Sequence, residues 1–179
     1  VLALPMNVLA TIDYEPALPP GLLALSRERH ASVGQKFYFE VEGNQGNLMC
    51  LAPSPSPIGL LMTYSPPGGR TMLVGFGAQA SALNINDDEA VQRAMDQVLP
   101  GTRVIAATGY AWHADPYALG TYANFRPGAI KRSYEATFQD HGRVILGVGD
   151  FGEGWRGFID GAISAGISAA QRVNRLLAG

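Results

Sequence analysis

The segment Gly147-Val148-Gly149-Asp150-Phe151-Gly152 constrains this chain more than any other feature. It follows an apolar run, Val144 to Val148, that reads as a buried strand. It precedes the longest helical pattern in the sequence, Ile159 to Leu177. Strand, glycine turn and helix make the first half of a dinucleotide-binding βαβ unit. In such a unit the glycines admit close backbone approach and the helix start favours negative charge. No second strand follows the helix, so the segment is expected to contact a cofactor or its phosphates without forming a self-sufficient nucleotide site. A similar pattern, Gly75-Phe76-Gly77-Ala78-Gln79-Ala80, also follows an apolar run. There Asn84-Ile85-Asn86-Asp87 cuts off any long helix at once, and the pattern reads as a strand end and turn.

The remaining periodicities alternate between strand and helix. Val33 to Val41 places Phe37, Phe39 and Val41 on one side and Lys36, Tyr38 and Glu40 on the other, the pattern of a half-buried strand. Further strands are expected at Val1 to Leu4, Leu48 to Ala52, Gly59 to Tyr64, Thr71 to Phe76 and Arg103 to Trp112, with a turn at Pro66-Pro67-Gly68-Gly69. Leu18-Pro19-Pro20-Gly21 leads into a short helix, Leu22 to His30. Asn86-Asp87-Asp88-Glu89 opens a helix reaching Leu99, its acids placed to cap the start and meet the dipole. Pro127 to Gln139 reads as a turn plus a helical segment. On the terminal helix, Ile159, Ala162, Ile163, Gly166, Ala169, Ala170, Val173 and Leu177 share a face that is small at Ala162, Gly166 and Ala169, so close approach is expected there.

Composition excludes several function classes. The net charge of −2 over 179 residues gives no electrostatic reason to expect nucleic acid or an anionic membrane as partner. No apolar run reaches the roughly 18 residues of a membrane span. Cys50 is the single cysteine, so an internal disulfide is impossible and the thiol reads as a small core group. This is compatible with a reducing compartment and favours the cytoplasm. His30, His113 and His141 share no ligand spacing, and no metal is assigned. No Gly-x-Ser-x-Gly elbow or Cys/His pair points to acyl transfer. The chain opens with Val1 inside an apolar strand pattern, which points to processing, a cut boundary or one piece of a longer polypeptide.

Three blocks carry a family resemblance. The glycine motif continues as Glu153-Gly154-Trp155-Arg156-Gly157-Phe158-Ile159-Asp160-Gly161-Ala162. A second block is Trp112, then Gly120-Thr121-Tyr122, then Pro127-Gly128, and a third is Leu18-Pro19-Pro20-Gly21 with a helix and Val33-Gly34-Gln35-Lys36. In this order they resemble the C-terminal part of the flavin-dependent amine oxidases of the monoamine oxidase type. The resemblance implies an α/β chain forming part of a two-lobe FAD-dependent fold. Residues 1–10 would end a segment of the FAD-binding lobe, residues 11–111 would form a mixed-sheet substrate lobe, and residues 112–179 would be the C-terminal segment of the FAD-binding lobe. The family's N-terminal glycine-rich nucleotide motif has no counterpart here. The remainder of the polypeptide or a companion chain is therefore expected to supply it, and a homo-oligomer is left open.

The same resemblance implies roles for single residues. Lys36 would hold a water near flavin N5, and Tyr122 and Phe158 would wall an aromatic cage around a small-molecule amine. Trp112 and Trp155 would border the isoalloxazine. Gly149 and Asp150 would meet the ribityl or phosphate-proximal part of FAD, and the amides near Phe158 and Ile159 would face flavin O2 and N1. Thr121 stands where covalently flavinylated members carry Cys, so the FAD would be noncovalent. Phe158 stands where monoamine oxidases proper have the second cage Tyr. The expected reaction oxidises an amine to an imine, with reoxidation by O2 to peroxide. Each assignment has a plainer alternative: a solvated strand lysine, core aromatics, a turn aspartate. An L-amino-acid oxidase or flavin desaturase, with Arg70, Arg126 or Arg156 meeting a carboxylate, also remains open, as does a non-catalytic binding module derived from an oxidase.

Overall fold

The computed structural model describes residues 1–65, 71–132 and 141–178. The turn expected at Pro66 to Gly69, Arg70, and residues 133–139 of the helical stretch expected after Pro127 lie outside the described residues. The chain forms two compact units, one of residues Val33–His113 and one of Val1–Ser32 with Ala114–Gly179.

The first of these units is a sheet backed by a helix. Its strands are β1 (Gln35–Val41), β2 (Met49–Leu51), β3 (Leu60–Ser65), β4 (Thr71–Gly77) and β5 (Val104–Gly109), in the order β2-β3-β4-β1-β5. These strands pair antiparallel throughout, and parallel character is confined to a single bridge between Val33 and Gln79. Strand alternation decides the two faces. Phe37, Phe39 and Val41 are fully buried beside Leu61 and Leu73. Lys36, Tyr38 and Glu40 point the other way, opposite Phe76, Val74 and Met72 of β4. Helix α2 (Asp88–Val98) contributes Val91, Ala94 and Met95 to the core. Asp87 caps it, its Oδ1 accepting the Ala90 N–H at 2.9 Å. Gln92 ties α2 to the start of β5, accepting from Val104 N at 3.0 Å and donating to Thr102 O at 2.9 Å. The glycines of the first fingerprint-like pattern serve packing. A Cβ on Gly75 would come within 2.8 Å of the Phe39 ring, and Gly77 lies as tightly against Phe37 and the Pro57 carbonyl.

The second unit gathers a 3-10 turn (Met6–Thr11), α1 (Pro20–Glu28) and α3 (Ile159–Ala178). Met6, Leu9, Leu18, Leu22, Leu25, Ala129, Leu146 and Phe151 form its core. Burial of Leu22 and Leu25 against this cluster draws residues 11–32 into this unit. The two compact units divide after Ser32 and after His113. The strands expected at the chain start and at Val144 to Val148 reduce to two isolated bridges: an antiparallel one of His141 with Val144, and a parallel one of Leu2 with Leu146, closed by Leu2 N to Ile145 O at 2.8 Å and Gly147 N to Leu2 O at 2.9 Å.

Helix α3 packs through a stripe that shares Ala169 with the one its periodicity suggests and is otherwise rotated from it. Gly161, Ala165 and Ala169 are buried, while Ile159, Ile163 and Leu177 are exposed and a Cβ on Gly166 would touch nothing. Periodicity finds apolar stripes. Which stripe packs is decided by how close the neighbouring backbone comes, and only Gly and Ala admit the approach seen here: a Cβ on Gly152 would collide with the Gly161 carbonyl.

Tyr14 packs against the core of this unit with its hydroxyl buried and without a hydrogen-bond partner among the described residues. Loss of hydration pushes its phenol above the ordinary value of 10.0. Tyr14→Phe removes the uncompensated hydroxyl, so urea unfolding should show stability unchanged or raised by about 1–2 kcal/mol. A loss of more than about 1 kcal/mol would mean the hydroxyl has a partner.

Candidate flavin site

The expected site residues fall in both units. In the sheet unit, Lys36 projects from the outer face of β1, its Nζ 5.0 Å from the Tyr38 ring centre and 5.7 Å from that of Phe76. Both distances are within cation–π range, so the ammonium is held over two rings on an exposed face. Trp112 follows β5, half exposed, its ring 4.5 Å from Tyr110.

In the other unit, the glycine motif forms a 3-10 turn, Gly149–Phe151, rather than running directly into a helix. Gly149 O accepts from Gly157 N at 3.0 Å, folding the segment 149–157 back on itself. Within that loop Trp155 and Phe158 meet edge to face at 5.7 Å and 84°, and both are mostly exposed, at 66% and 63%. Gly157 takes φ +75° and lies so close to Ala123 that a Cβ there would stand 2.6 Å from the alanine methyl. Residues 122–124 and 157–158 are therefore adjacent, and Tyr122 (54% exposed) and Phe158 flank the contact.

The helix start differs from expectation in one respect. The Phe158 amide donates to Trp155 O at 3.2 Å, so it is already engaged, and Ala162 N makes the first helical bond, to Phe158 O at 3.0 Å. The amides left by helix geometry are those of Ile159, Asp160 and Gly161.

Asp150, expected to meet a cofactor or to form a turn, makes tertiary contacts within its unit. Its Oδ2 accepts the Met6 N–H at 2.8 Å and lies 3.3 Å from His30 Nε2. Sequence reading overlooked His30, because nothing in its spacing marks it. Its one legible signal is a polar ring directly after a helix, ahead of a strand. The Thr121 hydroxyl pairs with that of Ser32 at 2.8 Å. Of the arginines considered for a carboxylate, Arg126 donates from Nε to Glu28 O at 3.2 Å and Arg156 donates from Nε to Gly152 O at 2.9 Å, with its guanidinium 5.9 Å from the Phe125 ring centre. No cluster of metal-binding side chains occurs among the described residues.

These features fit a flavin: an anchored carboxylate, a helix start with unspent amides and exposed aromatic faces. Comparison with known proteins decides the lineage. The model of the flavin containing amine oxidoreductase family matches residues 1–174. The chain belongs to this family. It is 34% identical over 182 residues to pseudooxynicotine dehydrogenase from Pseudomonas sp, a match covering 100% of the chain and 37% of that relative. It is 30% identical over 179 residues to nicotine dehydrogenase from Pseudomonas putida (strain DSM 28022 / S16), covering 99% and 37%. Its fold matches that of wild-type putrescine oxidase bound to putrescine, with a TM-score of 0.78 at 18% identity over 97% of the chain and 42% of that structure. The chain thus spans a little over a third of the length of its curated relatives. Family membership makes it part of a flavin-dependent amine oxidoreductase fold. No helix among the described residues is long and apolar enough to cross a membrane.

The Thr121–Ser32 pair yields a chemical expectation: a hydroxyl lacks the thiolate chemistry that joins sulfur to a flavin. Acid precipitation of the flavin-loaded protein should release all flavin to the supernatant. Yellow colour remaining on a peptide that contains Thr121 would show the opposite.

Proposed function

We propose that this chain supplies the substrate-side sheet and the C-terminal flavin contacts of an FAD-dependent amine oxidase. The relatives and the matched structure are named for nicotine-type compounds and putrescine, which points to a small-molecule amine as substrate. The observation that carries the reading is the loop 149–158. It sets an anchored Asp150, two exposed aromatic rings and a helix start within ten residues of one another, in a chain matched to the family over residues 1–174.

Bound FAD would supply the two-electron chemistry, taking hydride from the amine α-carbon to leave an imine that water hydrolyses, and passing the electrons to O2 as hydrogen peroxide. The chain's own residues bind and orient. Asp150 would offer its carboxylate to the ribityl hydroxyls, and the Ile159 amide, at the positive end of α3, would meet negative charge on the flavin. Trp155 and Trp112 would border the flavin. Tyr122 and Phe158 would give ring faces to the substrate amine. Lys36, kept over Tyr38 and Phe76, would hold a water near the flavin.

The adenine half of FAD needs a further polypeptide carrying the nucleotide motif, as remainder or companion. Two features of α3 support this. Ile159, Ile163 and Ile167 form an exposed stripe, and a groove of about 430 Å³ lined by Leu146, Phe151, Ser164 and Ile167 runs beside it.

The flavoprotein should show flavin absorbance that bleaches anaerobically on adding amine, and should return peroxide on admitting air. A protein with no flavin spectrum sinks the reading. Lys36→Met keeps the apolar stem and removes the charge and donors. Stopped-flow absorbance should show slowed reduction or reoxidation with the fold intact, whereas rates within about twofold of the parent would make Lys36 a strand-face lysine. Tyr122→Ala and Phe158→Ala should each lower turnover, by up to about 100-fold, with flavin retained. Loss of stability in parallel with activity, by the roughly 3–5 kcal/mol of a truncated core aromatic, would assign both to packing.

A further inference from the structure

Of the three histidines, His30 is the one whose whole residue is buried, at 5% exposure. Its ring stands edge-on to Phe125 at 4.8 Å and 85°, and its backbone N–H donates to Asn7 Oδ1 at 2.9 Å. An apolar side chain would pack against Phe125 equally well. A buried imidazole, by contrast, loses hydration at both nitrogens and needs a compensating partner. The compensation visible here is Asp150. His30 Nε2 lies 3.3 Å from Asp150 Oδ2, a polar contact short of hydrogen-bond alignment, and Nδ1 has no partner among the described residues. With the ring proton on Nε2, that edge of the ring stands beside the carboxylate at 3.3 Å without an aligned hydrogen bond, and Nδ1 is left with a lone pair.

The arrangement sorts the two oxygens of Asp150. Both protein contacts, the Met6 amide and the His30 imidazole, fall on Oδ2. The side chain keeps 16% of its surface exposed, through which Oδ1 can reach a ligand. The Met6 amide by itself leaves the carboxylate free to turn about Cβ–Cγ, and the imidazole on the same oxygen opposes that turn. An acceptor held in its bound orientation loses less freedom when a ligand hydroxyl arrives.

We propose that His30 is a positioning residue for flavin binding: it holds the Asp150 carboxylate with Oδ1 presented to the ribityl hydroxyls. This rests on the reading of the chain as part of a flavoprotein. His30 acts through Asp150 and does not touch the cofactor.

The test is a double-mutant cycle on the complete flavoprotein, stripped of flavin and titrated with FAD by fluorescence quenching, with the melting temperature of each apoprotein recorded alongside. His30→Leu keeps the packing on Phe125 and removes the donor. Its FAD dissociation constant should rise at least about tenfold, while His30→Gln, whose amide nitrogen reaches the place of Nε2, stays within about threefold of the parent. In an Asp150→Asn background the His30→Leu effect should largely vanish. His30→Asn, too short to reach Asp150, replaces His30→Leu in the cycle if the leucine variant does not fold. Unchanged affinity in His30→Leu overturns the proposal. So does an undiminished effect in the Asp150→Asn background, or parallel weakening of the Leu and Gln variants that tracks their melting temperatures. A parent protein that binds no FAD refutes the flavoprotein reading itself. A parent that binds FAD but is indifferent to position 30 refutes only the role of His30.

Discussion

Two polar side chains, the buried Asn7 and the partly buried Asp150, hold four distant stretches of the chain to one another. The Asn7 amide, in a residue 4% exposed, accepts from His30 N and donates to Leu119 O at 3.1 Å. Asp150 accepts from Met6 N, one residue earlier in the same 3-10 turn. Through these contacts the opening turn, the exit of α1, the loop at 118–120 and the glycine motif become one framework. Each such hydrogen bond contributes only about 0.5–1.5 kcal/mol net, but leaving a buried partner unpaired costs about 1–3 kcal/mol. The framework is therefore specific: the Asn7 side chain and the Met6 and His30 amides each have one place where they are matched. Gly120 belongs to it because Asn7 Nδ2 occupies the space a side chain at 120 would need.

The loop 149–158 depends on this framework and on close packing at the start of α3. Gly152 lies against Gly161, and Gly161 lies as closely against the Trp155 carbonyl. A loop pinned by backbone contact at its base and by Asp150 at its head can leave Trp155 and Phe158 exposed without losing its shape. The large rings are available for a ligand because small residues and buried polar groups bear the structural role. In the sheet unit the division of labour follows strand alternation: β1 gives Phe37, Phe39 and Val41 to the core and Lys36 and Tyr38 to the outer face.

The chain covers 37% of the length of its first two relatives, and what it contains accords with that fraction. It has an antiparallel sheet, exposed aromatics beside the glycine motif and the start of a long helix. The motif that would grip the adenine half of a dinucleotide has no counterpart in it. The exposed isoleucines of α3 are consistent with a helix that has packed only one of its two apolar stripes.

By itself the sequence determined the local elements and the lineage. Period-two alternation at residues 33–41, proline and glycine turns, and the acids before α2 specify β1, α1 and α2 through short-range sterics and capping, which need no distant partner. The ordered blocks around Lys36, Trp112, Tyr122 and Trp155 were enough to indicate the family later shown by the match over residues 1–174. Tertiary structure alone decided which α3 stripe is buried, because several apolar stripes satisfy helical periodicity and backbone approach chooses among them. It also decided that residues 11–32 join the unit of α1 and α3, since the burial of Leu22 and Leu25 depends on residues more than a hundred positions away. Finally, it revealed that Asp150 is held by His30 and Met6. A partly buried polar contact between residues 120 or 144 positions apart leaves no periodic trace, because its energy comes from desolvation and geometry rather than from local pattern.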